Sequence, residues 1–229
     1  MKTISSPTSR VGHPALLGRY TRRDIIPITL DLIYGAWPKV CTSAVVDDGS
    51  HEPQIAGALF NELWKLRKTR RMVGPPYIDC ESASRSHPEL LIPDGRIDFK
   101  LIYGWDQEEF FSIECKRVSA TNNSLATEYI REGVVRFTSG KYARGHDWAG
   151  MLAFVIDRNI PGTVKLINER LQTLASEVHL SGSVLSETSF GTFSNLYRSE
   201  HKPPNSRQSL AILHLYLCFG SVSEVENHK

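Results

Sequence analysis

The chain has 229 residues, of which 41% are hydrophobic and 23% charged; this suits one globular domain with its own core and excludes a disordered or fibrous chain. A formal charge of +2 does not by itself mark a nucleic-acid binder, so any such surface must come from local patches. The longest apolar run, residues 210–219, is broken by His214 and falls short of the ~18–20 residues of a membrane span, so no membrane partner is expected.

The four cysteines contain no C-x-x-C pair and the eight histidines no H-x-x-x-H spacing. A zinc finger and a disulfide framework are therefore not expected, and the cytoplasm is the default compartment.

Residues 1–23 lack Asp and Glu but carry Lys2, Arg10, Arg19, Arg22 and Arg23 among Ser and Thr. They read as a flexible basic N-terminus, with an organellar transit peptide as the alternative. A short helix is predicted over 24–34, ended by Gly35 and Pro38. The next helix is predicted over 50–68: Asp48 or Ser50 can cap it, Pro53 suits its first turn, and Ile55, Leu59, Leu63 and Leu66 recur at helical spacing. Gly74-Pro75-Pro76 stops it. Three β-like segments follow at 77–81, 96–103 and 110–118, with turns at Pro93-Asp94-Gly95 and Gly104-Trp105-Asp106. A helix over 125–142, a buried strand over 148–157 and a helix over 161–179 come next. Val164, Ile167, Leu171, Leu174 and Val178 share one face of the last helix. Late strands near 190–198 and 209–219 flank a polar loop containing Pro203-Pro204.

This order predicts an α/β fold with a mixed central sheet flanked by helices. It is read as one domain over 24–229, with an αβββαβ core at about 50–157 and a C-terminal helix and β-hairpin extension over 158–229.

The chemistry is concentrated in Arg96-Ile97-Asp98-Phe99-Lys100 and Ser112-Ile113-Glu114-Cys115-Lys116. Strand alternation puts Ile97, Phe99, Leu101 and Tyr103 on one face and Asp98 and Lys100 on the other. It likewise separates Phe111, Ile113 and Cys115 from Glu114 and Lys116. Asp98 and Glu114 are 16 positions apart, which allows an antiparallel hairpin that sets Asp98 beside Glu114 and Lys116 at one edge of the sheet. Two carboxylates and an ammonium at one spot suit a divalent metal: Mg²⁺ takes one or two carboxylates and completes its shell with water and substrate phosphate. The lysine offsets carboxylate repulsion and can orient, or help deprotonate, an attacking water. Asp94 is the alternative ligand, but it sits in a Pro-Asp-Gly turn where Asp is common for backbone reasons. The bland alternative for Glu114 and Lys116 is a solvated cross-strand pair.

Asp98 followed by Glu114-Cys115-Lys116 on two successive predicted strands resembles the PD-(D/E)xK nuclease superfamily, over roughly residues 50–157. The resemblance implies a restriction-endonuclease-like core and metal-dependent phosphodiester hydrolysis. It implies Asp98 and Glu114 as ligands of Mg²⁺, or alternatively Mn²⁺, joined by the backbone carbonyl of Cys115. Attack in line with the leaving 3′ oxygen, yielding a 5′-phosphate, is also implied. Relatives bring an acid from the first core helix toward the metal; Glu52 is the candidate, against a plain helix-dipole role, and Glu62 is the reserve. They also use the helix after the lysine strand to carry polar groups and a tyrosine to the site, which here offers Tyr129, Arg136, Lys141 and Tyr142.

Arg136 and Lys141 are thus candidate phosphate contacts, unless they merely face solvent. Lys65, Arg67, Lys68, Arg70 and Arg71 are five bases within seven residues, suited to tracking a phosphate backbone or simply to a helix C-terminus. His201 and His214 either pair across a hairpin near substrate or are structural. The expected function is a Mg²⁺-dependent DNA endonuclease in restriction or anti-phage defence, with DNA favoured over RNA. Asp98, Glu114, Lys116 and Glu52 would be catalytic. Expected partners are nucleic acid, a regulatory or sensor subunit of a defence complex, and a second copy if both strands are cut together. The alternative is a non-catalytic nucleic-acid-binding or assembly subunit that keeps the fold.

Overall fold

The computed structural model describes residues 21–72, 74–84, 95–104, 109–142, 145–182, 184–188, 190, 193–204, 206 and 208–220. The basic segment before residue 21, Asp94 with its Pro93 turn, and Trp105-Asp106 lie outside the described residues.

Seven strands, β1 (Tyr77–Ser84), β2 (Gly95–Ile102), β3 (Phe110–Val118), β4 (Trp148–Val155), β5 (Ser186–Glu187), β6 (Leu196–His201) and β7 (Leu210–Cys218), form one mixed sheet in the order β1-β2-β3-β4-β7-β6-β5. The central β3, β4 and β7 are parallel and the outer pairs antiparallel. Both faces of the central strands are covered, so β4 and β7 are buried almost throughout, and their sequences read as near-continuous apolar runs. One face carries α1 (Arg22–Thr42) and α2 (Glu52–Thr69). The other carries α3 (Asn123–Tyr129), a π-helical turn (Ile130–Val134), α4 (Val135–Thr138) and α5 (Ile160–Thr173). Among the described residues, no helix is long and apolar enough to cross a membrane.

Three differences from the sequence expectations have physical causes. Helix α1 runs through Gly35 and Pro38 instead of ending there. An interior proline costs ~3 kcal/mol, but α1 buries Ile25, Ile26, Leu30, Leu32, Ile33, Ala36, Trp37 and Val40, which outweighs it. Gly35 serves close approach to α2, since a Cβ there would lie 2.9 Å from Leu66 Cδ2. Second, α5 stops at Thr173, and residues 174–179 continue as turns that still bury Val178. Third, β7 is no peripheral hairpin strand: it inserts beside β4 in the middle of the sheet, leaving β6 and the short β5 outside it.

A buried polar chain docks α3 onto β6 and β7. His201 Nδ1 donates to the Val178 carbonyl at 2.8 Å, so its neutral Nε2 accepts from Ser199 Oγ at 2.7 Å. Ser199, having donated its proton, accepts from His214 Nε2 at 2.8 Å, and His214 Nδ1 then accepts from the Tyr129 hydroxyl at 2.8 Å. Every ring nitrogen in this chain is used, and burial holds both histidines below their usual pKa, His201 at about 4. The two histidines are therefore structural. Ser199→Ala strands both Nε2 atoms and is expected to cost about 1–3 kcal/mol in urea denaturation; an unchanged midpoint would show that the chain is not closed as described.

Candidate functional site

Asp98 sits where β2 leaves regular pairing on both sides. The β1–β2 ladder passes from Cys80↔Phe99 to Ser82↔Ile97 and skips Glu81 and Asp98, and Glu81 adopts a left-handed φ of 53°. On the other side, the β2–β3 ladder ends at Phe99↔Ile113. The next position would set Asp98 opposite Glu114, and there the Asp98 carboxylate itself takes a strand hydrogen bond, from Cys115 N to Oδ2 at 2.7 Å. The chain also changes faces here. Phe99 and Leu101 belong to the core layer under α1 and α2, but Ile97 packs in the layer under α3 and α4, contrary to simple alternation. Nor is the site at the sheet edge, because β1 covers β2. Lys100 does not join it; its Nζ lies over the Phe110 ring, 4.4 Å from the centroid.

The Glu114 side chain is only 1% exposed. Its Oε1 meets Arg136 Nη1 at 2.7 Å and Lys116 Nζ at 3.2 Å, while its buried Oε2 has no hydrogen-bond partner. Burial and the neighbouring Asp98 carboxylate push the Glu114 carboxyl up to about 8, against the pull of Lys116 and Arg136. Burial likewise raises Asp98, opposed by the Cys115 N–H. The Lys116 pKa is raised as well: burial lowers it, but Glu114 and Glu52 outweigh burial and hold the group as an ammonium.

Glu52, in the first turn of α2, reaches across to β3. Its Oε1 takes Lys116 Nζ at 2.6 Å and its Oε2 takes Arg117 N at 3.2 Å. Lys116 Nζ also donates to the Cys115 carbonyl at 2.9 Å. Glu52 therefore anchors the lysine, whereas Glu62 pairs with Lys65 on the helix surface at 2.6 Å. The π-helical turn adds one residue to the helix, rotating everything after it by ~100° about the axis. This bears on Arg136, which bonds Glu114, the Tyr142 hydroxyl at 2.9 Å and Glu132 at 3.0 Å. Gly133 lets the turn lie close to the sheet: a Cβ there would stand 2.4 Å from Met151 Cε and 3.7 Å from Lys116 Cγ. Tyr129 turns away to His214, and the Lys141 stem packs beside Gly95 at the start of β2.

The five-base cluster does not belong to this site. It occupies the C-terminal end of α2, ~20 Å along the helix from Glu52. Arg67 is buried and donates to the Pro76 carbonyl and, at 2.9 Å, to that of Gly74; Arg70 pairs with Asp31 of α1 and Lys65 with Glu62. Three of the five bases hold the fold or pair locally, and Lys68 and Arg71 are exposed on the same end.

Among the described residues, no three His, Cys, Asp or Glu side chains form a ready cation cage. The oxygens that remain open suit a hard cation all the same. Glu114 Oε2 is buried and unpartnered, Asp98 keeps an oxygen beyond its bond to Cys115, and the Cys115 carbonyl, which accepts from Lys116 Nζ, has a second lone pair. Two carboxylates and one carbonyl fit Mg²⁺ or Mn²⁺, with water or phosphate completing the shell. Glu52 is spent on Lys116 and Arg117 N and is not a ligand in this set. Glu132 and Tyr142 were not singled out as partners of Arg136 from sequence; the i,i+4 spacing of Glu132 and Arg136 was the available signal.

The folded chain keeps the Glu114 proton up to about 8, whereas an unfolded chain releases it near 4.5. Unfolding therefore releases a proton in that window, and this group's contribution to stability falls as pH rises through it. In metal-free buffer Glu114→Gln is expected to gain on wild type steadily from pH 5 to about 8 in urea unfolding; a pH-independent difference would contradict the assignment. Compared with family models, curated proteins and solved structures, the chain matches none.

Proposed function

We propose that this chain is a metal-dependent nuclease with a restriction-endonuclease-like core. The observation that carries the proposal is the convergence of Asp98, Glu114 and Lys116 at the opening between β2 and β3, with an unpartnered carboxylate oxygen buried among them. A purely structural ion pair has no reason to leave that oxygen bare, since an unsatisfied buried acceptor costs about 1–3 kcal/mol.

Asp98, Glu114 Oε2 and the Cys115 carbonyl would hold the ion, which supplies a Lewis acid for phosphate and a water of lowered pKa. The protein's own groups divide the remaining work. Lys116, held protonated by Glu114 and Glu52, would turn the N–H it now gives the Cys115 carbonyl to the attacking water once that carbonyl takes the ion; as an ammonium it does not take the proton. Glu52 fixes that ammonium by a 2.6 Å contact. Arg136, partly exposed at the mouth of the site, offers a planar donor pair to a phosphate oxygen. DNA as substrate and a place in restriction or anti-phage defence follow from the sequence resemblance, and a partner or second copy would supply recognition.

The test is incubation of plasmid DNA, and separately of RNA, with the purified chain in Mg²⁺, Mn²⁺ or EDTA. Cleavage is expected only with metal. Asp98→Asn, Glu114→Gln and Lys116→Met should each reduce it by at least about a hundredfold. Metal-dependent cutting that survives all three substitutions would refute the assignment. Binding without cutting would favour a non-catalytic subunit.

A further inference from the structure

We propose that Arg136 is an internal stand-in for the divalent ion. It occupies Glu114 Oε1 while the ion is absent, gives Glu114 up when the ion arrives, and is thereby released to hold a phosphate oxygen of the substrate. The inference rests on the metal-dependent reading above and deepens it by linking two binding events through one side chain.

The two cations on Glu114 Oε1 differ in freedom. Lys116 is 7% exposed and fixed at once by Glu52, the Cys115 carbonyl and Glu114. Arg136 is 27% exposed and reaches outward, where Glu132, itself 59% exposed, takes its Nη2 at 3.0 Å. Its guanidinium carbon lies 5.6 Å from the centre of the Tyr142 ring, and Nη1 also donates to the Tyr142 hydroxyl. Arg136 can therefore swing off Glu114 and keep both Tyr142 and Glu132, whereas Lys116 has no second set of partners outside the site.

Electrostatics decides which group moves. Glu52, Asp98 and Glu114 face Lys116 and Arg136, so without a metal two cations already stand against three acids. A dication bound between Asp98 and Glu114 would crowd three positive centres around Glu114, and the solvent-reaching one is the one that can leave. A guanidinium displaced toward Glu132 stays at the mouth, where it can pair bidentately with a phosphate.

The experiment is Mn²⁺ titration by calorimetry of the full chain without nucleic acid, comparing wild type with Arg136→Gln, Arg136→Lys and Asp98→Asn. Arg136→Gln removes the competing charged donor and should bind Mn²⁺ at least about tenfold more tightly. Arg136→Lys keeps the charge and should stay close to wild type, and Asp98→Asn should lose binding. Inorganic phosphate should bind the Mn²⁺-loaded Arg136→Gln protein more weakly than loaded wild type. In wild type itself, the Arg136 Nε–Hε NMR resonance, assigned by its absence in Arg136→Lys, should move on adding Mg²⁺; this readout stands even if Arg136→Gln fails to fold. Unchanged or weaker Mn²⁺ affinity in Arg136→Gln, or an unmoved resonance at saturating Mg²⁺, overturns the exchange and leaves the metal site intact if Asp98→Asn still abolishes binding. No Mn²⁺ binding by wild type or Arg136→Gln overturns both.

Discussion

Glu114 is a carboxylate in the middle of a sheet, with almost none of its surface in water. Burying its charge would cost several kcal/mol unless it were paired and hydrogen-bonded, and here only one of two oxygens is satisfied, so without a metal the group keeps its proton up to about 8. Much of the surrounding architecture answers that constraint. Lys116 rises from the same strand to face it, Glu52 comes from the first turn of α2 to hold Lys116, and Arg136 comes from the opposite layer to close Oε1. The site thus clamps the two helical layers together across one end of the sheet, and the remaining oxygen is where a divalent ion has most to gain.

The fold supplies this juxtaposition by letting β2 part from β3. A regular ladder through Asp98 would have used the Cys115 N–H for a backbone carbonyl; instead the Asp98 side chain takes it, which turns that carboxylate inward. On the other layer, the π-helical turn and Gly133 bring the helix backbone down to the stem of Lys116. The histidine chain through Ser199 then ties α3 to β7, so the helix that carries Arg136 is anchored just ahead of its irregular turn. Irregular backbone gathers on both sides of the same charged cluster, as expected where a fold gives up local regularity to position side chains.

Most of the elements were legible in the sequence, because their signals are local. The 3.6-residue spacing of Ile55, Leu59 and Leu63 and the apolar run from Ala149 to Val155 specify α2 and β4 with little help from the rest of the chain. Long-range facts were not legible. Gly35 and Pro38 look like a helix end, and only the packing of Trp37 on Phe154 and Phe219 shows why the helix continues. The unbroken burial of 210–217 marks a strand covered on both faces, but nothing local says that it lies beside β4. In the site, Asp98, Glu114 and Lys116 were readable from strand spacing. Their irregular setting was not, since neither the left-handed Glu81 nor the π-turn has a residue-level signature. The composition of the basic cluster was visible too, but the carbonyls of Gly74 and Pro76 that claim Arg67 become neighbours only in the fold.

The most direct measurement is anomalous X-ray diffraction from crystals soaked in Mn²⁺. The account predicts a single strong peak bounded by Asp98, Glu114 Oε2 and the Cys115 carbonyl, with Lys116 still held by Glu52. A soaked crystal with no density there, or with manganese bound only at other surface carboxylates, would contradict it.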